Sequence, residues 1–316
     1  MSKLLEVEKL SISFSQYFKG LEQRELKVLS DLTMDVDDHE ILAVLGSSGS
    51  GKSLLAHAIL GILPSNAKVS GSIRYKGKEM DDELKEELRG NKISFIPQSV
   101  NNLNPLMKVR DQAIGYTESE EEKSARIKKQ RKIFEQYNLS EEVDDMYPFQ
   151  LSGGMARKVL ISTALLNDPE IIIADEPTPG LDEQAVQETI NNLVKLKEQG
   201  IGMILITHDI HTAIETSDRI AILYLGYVIE VTDTKNFSGE GEKLLHPYTR
   251  SLFRALPETH FELTEGHQPS YHHIPKGCPY HENCPYQVRE CHYELPELRE
   301  LNGTRIRCFN PLVDGE

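Results

Sequence analysis

The run Gly46-Ser47-Ser48-Gly49-Ser50-Gly51-Lys52-Ser53 places three glycines, a lysine and a following hydroxyl within eight consecutive positions. Glycines let a backbone wrap closely around an anion, so that successive N–H groups and the N-terminus of a following helix can face it. Lys52 adds a point charge suited to the β- and γ-phosphates of a nucleotide. Ser53, directly after it, carries the hydroxyl that ligates Mg²⁺ in such a loop. A chance glycine-rich turn would read the same in isolation. The context argues otherwise, because the strand-like run Ile41 to Leu45 precedes the loop and SLLAHAILGIL follows it with the spacing of a buried helix.

Farther along, three isoleucines and Ala174 lead into Asp175 and Glu176. A buried strand ending there delivers two carboxylates side by side. Asp175 can hold Mg²⁺ or its water, and Glu176 can polarise an attacking water as general base. Taken alone the pair could equally be the capped start of a helix; together with the glycine loop it is a strong signal. Gln98, after the short strand-like ISFIP, and His208, after MILIT, stand at strand ends from which each could reach a γ-phosphate or the water beside it.

All four cysteines, Cys278, Cys284, Cys291 and Cys308, lie in the last stretch of the chain with the spacing C-x5-C-x6-C-x16-C. A body without cysteine fits a reducing compartment, which disfavours disulfides. Zinc sites more often show close C-x2-C pairs, whereas four thiolates on irregular loops suit an iron–sulfur cluster. Cluster, zinc and free thiols all stay open on spacing alone. His281 and His292 are spare ligands at best, and His272 and His273 read as surface residues.

The elements that must position these groups follow from periodicity. Leu4 to Val7, Ile12 to Phe14 and Leu32 to Val36 alternate as strands of a flanking antiparallel sheet joined by Ile73 to Tyr75. Glu118 to Asn138 is a charged amphipathic helix with a solvated face. A helix opens directly after LSGG, and IIIAD and GMILITHD are buried strands separated by a helix near Gln184 to Glu198. Strands alternating with helices imply a mainly parallel sheet. Ile220 to Leu225 and Tyr227 to Val231 form a hairpin turning at Gly226. After about Pro257 the composition shifts to Pro, His, Cys and Tyr, giving an expected division into 1–256 and a four-cysteine region 257–316.

Charge narrows the function classes. With 35 Lys+Arg against 50 Asp+Glu the net charge is -15, which repels a phosphate backbone and argues against nucleic acid as the principal partner. Neither the opening MSKLLEVEKL nor any later stretch has the roughly 20 apolar residues of a spanning helix. A soluble chain that docks on a membrane partner is expected.

At Leu151 to Met155 the sequence reads LSGGM, between the glycine loop and the Asp175-Glu176 strand. A single-nucleotide site needs no second glycine motif there, and with this string the chain resembles the ABC ATPases. The resemblance implies a P-loop ABC ATPase core with a parallel sheet, a flanking antiparallel β subdomain, a helical subdomain near 99–165 and a small cysteine-containing C-terminal region. It implies that Ser152, Gly153 and Gly154 cap ATP held by a partner's glycine loop. Phe14 matches the family's adenine-stacking aromatic, although an inward strand Phe is as often plain core. Gln98 matches the Q-loop, which also reaches Mg²⁺, and His208 the switch histidine.

Within that superfamily the chain is most similar to the oligopeptide, dipeptide and nickel permease ATPases, through Met155 in LSGGM, LNP at Leu103 to Pro105, HPYTRSL at His246 to Leu252, and the tail GCPYHENCPYQVREC then RCF. The branch implies a [4Fe–4S] cluster on the four cysteines. It also implies a heterodimer with a second related ATPase, two permease subunits gripped through SVNNLNP, an extracellular solute-binding protein, and a place on the cytoplasmic face of the membrane. Peptide import is the favoured reading, with nickel or another metal chelate as the alternative. A soluble ABC ATPase acting on nucleic acid and a non-hydrolysing regulatory subunit are the rivals. Two strings depart from the family: Pro179-Gly180-Leu181-Asp182 where SALD is usual, and Ala156-Arg157-Lys158 where Arg-Gln-Arg is common.

Overall fold

In the computed structural model, residues 3–18, 22–259, 261, 268–271 and 274–313 are described; His272 and His273 lie outside them. The strands that carry the site, β3 (Ile41–Gly46), β7 (Ile171–Asp175) and β8 (Gly202–Thr207), are buried at every position. That follows from near-continuous apolar sequence, the mark of parallel strands covered on both faces. Alternate residues still sort to opposite sides. Ile41, Ala43, Leu45, Ile172, Ala174, Met203 and Leu205 join one core cluster, and Leu42, Val44, Ile171, Ile173, Ile204 and Ile206 the other.

Before β3 come β1 (Leu5–Phe18) and β2 (Glu22–Val36). With β4 (Ala67–Tyr75) and β5 (Lys78–Glu79) they make an antiparallel sheet in the order β2-β1-β4-β5. The three short strands expected between Leu4 and Val36 are thus two long ones, because register shifts after Val7 and Leu10 let β1 and β2 bend without breaking. Together with β6 (Ile93–Ile96), β9 (Arg219–Tyr224), β10 (Tyr227–Asp233), β11 (Arg299–Leu301) and β12 (Thr304–Ile306), the buried strands form an eight-stranded sheet ordered β11-β12-β10-β9-β3-β8-β7-β6. From β9 to β6 every pairing is parallel; β10, β12 and β11 extend it antiparallel.

The antiparallel sheet and α1 (Lys52–Leu60) cover one face through Leu29, Leu32, Leu55 and Ile59. Helix α1 stops three residues earlier than its apolar sequence suggests, since Gly61 takes a left-handed φ of 67° and its N–H caps the Ala58 and His57 carbonyls. A short α2 (Asp82–Leu88) precedes β6. The other face is covered by α3 (Val109–Ile114), α4 (Glu120–Gln136), α5 (Gly153–Ala164), α6 (Glu183–Glu198), α7 (Ile210–Thr216) and α8 (Pro247–Arg254). Charged α4 turns Ile133 and Phe134 inward.

Besides the pairing of β12 with β10, a buried arginine directly after the C-terminal hairpin β11–β12 ties it to this frame. Arg307, 2% exposed, donates to Val228 O, Pro296 O, Asp31 O and Asp31 Oδ2 at 2.8 to 3.2 Å. No described helix is long and apolar enough to cross a membrane.

Candidate nucleotide site

Residues 47–51 bridge the end of β3 and the start of α1. Gly51 makes the bend with φ 94°, and a Cβ there would meet Leu29 Cδ2 at 2.7 Å, so this turn requires glycine. No side chain caps α1, which leaves its first amides to an anion. Lys52 Nζ donates to Gly46 O at 2.7 Å and Ser47 O at 3.0 Å. Burial pushes this ammonium below the usual lysine value, against the opposing pull of Glu176 and Asp175. Its amine therefore lies coiled under the loop, 3.9 Å from Glu176 Oε1.

Above it opens a cavity of about 360 Å³ lined by Ser48, Gly49, Gly51, Lys52, Ser53, Gln98 and Glu176, with Val28 of β2 as an apolar wall. Ser50 is buried behind the loop with no partner for its hydroxyl. A second cavity of about 820 Å³ meets the first at Ser53 and Gln98 and includes Asp175. Asp175 is 4% exposed and its Oδ1 has no protein partner, a costly arrangement for a carboxylate unless something else satisfies it. A hydroxyl, a carboxamide and a carboxylate are the hard oxygen donors that Mg²⁺ takes, and they fit that ion.

Glu176 follows β7 with φ 46°, in the left-handed region that costs a non-glycine residue of order 1–3 kcal/mol. Its N–H donates to Ile206 O at 2.8 Å. The strained turn aims the carboxylate back at Lys52 and His208, whose Nδ1 is 2.8 Å from both carboxylate oxygens. An ionised carboxylate only accepts, so Nδ1 carries the hydrogen and donates to Glu176. His208 is half exposed where Glu176 is buried, which lets the imidazole swing while the carboxylate stays fixed.

The structure thus brings Gly46, Ser47, Ser48, Gly49, Ser50, Gly51, Lys52, Ser53, Gln98, Asp175, Glu176 and His208 to the C-terminal ends of β3, β6, β7 and β8. It leaves three groups elsewhere. Phe14 pairs with Leu26 and packs against the core of the flanking sheet, outside the cavity lining. Ser152 and Gly153 are exposed at the start of α5, where Ser152 Oγ accepts from Met155 N at 3.2 Å and a Cβ on Gly153 or Gly154 would meet nothing within 4 Å. They border a different cavity, of about 430 Å³, with Val100, Leu103 and Phe149.

The third group is the cysteines. All are buried free thiols. Burial first, and then charge on the neighbouring thiols, pushes Cys278 up to about 11 and Cys308 up to about 12. Backbone N–H groups of Tyr280 and His281 oppose this at Cys278, as do those of Tyr286 at Cys284 and Asn310 at Cys308. Among the described residues no group of three or more His, Cys, Asp or Glu is placed to hold a single metal ion.

Sequence reasoning missed Val28, which carries no motif. It also missed the contact of Ser47 Oγ with Gln268 Oε1 at 3.0 Å, and it noted Arg157 only as a departure. Arg157 reaches from α5 to the backbone at Gln98.

Comparison with known proteins agrees with the geometry. Residues 29–179 match the ABC transporter family and residues 229–291 the oligopeptide/dipeptide transporter C-terminal region. The dipeptide transport ATP-binding protein of Haemophilus influenzae is 31% identical over 98% of this chain and 96% of its own length. The oligopeptide transport ATP-binding protein of Salmonella typhimurium is 32% identical over 98% and 95%. Among solved structures, a dimeric bacterial ABC transporter cassette matches with a TM-score of 0.61 at 28% identity, covering 73% of this chain and 98% of that one. With the glycine loop, the Asp175-Glu176 turn and near full-length relatives in agreement, the chain belongs to the ABC transporter family, as an ATPase subunit of the oligopeptide/dipeptide type.

Proposed function

We propose that this chain powers peptide import as one half of a nucleotide-sandwich dimer with a second, related ATPase, on the cytoplasmic face of a membrane that holds two permease subunits. The observation that carries the reading is the separation of two phosphate-directed elements. The glycine loop closes on the chain's own cavity, while the helix start at Ser152 faces outward, away from it. An outward N-terminus of this kind suits a nucleotide bound by someone else. Lys52 and the loop amides would hold the β- and γ-phosphates, and Ser53, Asp175 and Gln98 the Mg²⁺ that neutralises them. Glu176 would take the proton of the attacking water, and His208 would orient that carboxylate and sense the γ-phosphate. Phe14 would stack on adenine.

Closing the dimer from mostly open to mostly closed requires roughly 5.5 kcal/mol of differential binding. Two nucleotides that each gain a second wall are a reasonable source. The groove bearing Ser99, Asn102, Leu103 and Asn104 beside the exposed Leu106 suits a permease segment. The peptide assignment rests on the dipeptide and oligopeptide transport named for the relatives; an extracellular solute-binding protein would complete the complex. Purifying the chain from membranes with its partners and measuring ATP-driven uptake in vesicles tests this. Two permease proteins, a second ATPase and accumulation of labelled peptides are expected; uptake of Ni²⁺ without peptides, or no membrane partner, would overturn it.

We further propose that Cys278, Cys284, Cys291 and Cys308 hold a [4Fe–4S] cluster. Charge on Cys278, Cys284 and Cys291 acts on the Cys308 thiol, so the four buried sulfurs lie in one neighbourhood. Backbone amides directed at Cys278, Cys284 and Cys308 would stabilise the thiolates that such a cluster takes. When bound, such a cluster supplies a rigid fourfold cross-link and a one-electron couple. Anaerobically purified protein should contain about four iron atoms and four sulfides per chain; stoichiometric zinc instead would contradict the assignment.

A further inference from the structure

Gln98 lines two cavities at once: the nucleotide cavity with Lys52 and Ser53, and the larger groove with Ser99, Asn102 and Leu103. What fixes the backbone at this junction comes from the helix that begins at Ser152. Arg157 of α5 donates Nη1 to Pro97 O at 2.8 Å and Nη2 to Gln98 O at 2.9 Å. The side chain is 3% exposed and its Nε has no partner. Among the described residues no carboxylate stands within ion-pair distance of it, and burial alone pushes its guanidinium below the usual arginine value.

Burying an uncompensated guanidinium is a poor way to fasten a helix. Nor does α5 need it for packing, since Ala156, Val159, Leu160, Ile161 and Ala164 already place the helix in the core. The planar fork does one thing an apolar side chain cannot: it ties two successive carbonyls, in fixed geometry, to the helix whose first residues face outward. We propose that Arg157 is a positioning residue that locks the Gln98 loop to α5, so that the side chain facing this chain's own nucleotide and the serine facing the partner's move as one body. The proposal rests on the ATPase reading and on Gln98 acting at the nucleotide.

A double-mutant cycle on MgATP turnover, measured on the full chain in its transporter complex, tests it. Gln98→Ala and Arg157→Met should each lower kcat by about 10-fold or more with KM for ATP changed less than about twofold, because displacing a group by about 1 Å can cost 10²-fold while the glycine loop still binds substrate. The double variant should be no slower than Gln98→Ala alone. A residue that merely stabilises the fold gives losses that multiply, and multiplied losses would overturn the proposal, as would full turnover in Arg157→Met. Should Arg157→Met fail to fold, Arg157→Gln, which keeps two N–H donors on a shorter stem, replaces it in the same cycle with a smaller single loss and the same non-additivity. Full turnover in Gln98→Ala would remove the role of Gln98 and this proposal together, whereas multiplied losses would remove this proposal only.

Discussion

At the scale of single residues, two carboxylates one position apart are given different tasks by their surroundings. Asp175 ends β7 inside the sheet, buried, with one oxygen unsatisfied by protein. Glu176 has left the strand in a left-handed conformation and is held by His208 and faced by Lys52. The first arrangement suits a cation and the second a proton acceptor. Asp175→Asn keeps the shape but removes the negative charge and one of the two oxygens, so it should raise the Mg²⁺ concentration needed for half-maximal turnover by about 10–100-fold. A Mg²⁺ titration of turnover reads this directly, and an unchanged midpoint would move the ion elsewhere.

At the scale of elements, α8 shows how a motif residue can be wholly structural. His246 caps it: Nδ1 accepts from Tyr248 N at 3.1 Å, and the ring is buried with Nε2 unpartnered. Burial pushes its pKa down to about 3. The unfolded chain therefore takes up a proton near pH 6.5 that the folded one refuses, and stability falls as pH drops below that value by up to about 1.4 kcal/mol per pH unit. Buried Glu230, which accepts from Leu245 N and His246 N, is raised instead and works in the opposite sense above its unfolded value. His246→Gln retains Glu230, so the difference between the two proteins isolates the histidine. Denaturant unfolding should show a shallower loss from pH 6.5 to 4.5 in the variant than in the wild type.

Much of this level was legible beforehand. The buried strands at Ile41, Ile171 and Met203 and the helix after LSGG were readable because a parallel sheet covered on both faces leaves uninterrupted apolar runs. What escaped was set by tertiary packing. The bent pairing of β1 with β2 depends on register shifts that no local propensity announces. Val28 lines the nucleotide cavity because the fold lays the Val28 and Leu29 side chains of β2 against Gly51. Arg157 binds carbonyls, and carbonyls carry no sequence signal.

At the scale of the whole molecule, the nucleotide core and the cysteine region share one sheet through β10 and β12. Arg307, adjacent to Cys308, reaches Asp31 on β2, the strand that also supplies Val28. Removing it in Arg307→Met strands four carbonyl or carboxylate acceptors, and chemical unfolding should show a loss of about 2–4 kcal/mol. A loss below about 0.5 kcal/mol would mean the hairpin is a loose appendage.

In this chain Glu176 would turn over MgATP while the glycine loop does the binding. Steady-state hydrolysis by the purified complex, wild type against Glu176→Gln, with bound ATP counted after rapid filtration, tests it most directly. Glu176→Gln should lose about 10²–10⁴-fold in kcat yet retain ATP. Turnover that persists in Glu176→Gln would rule out Glu176 as the base, and ATP that no longer binds to it would deny the glycine loop its separate binding role.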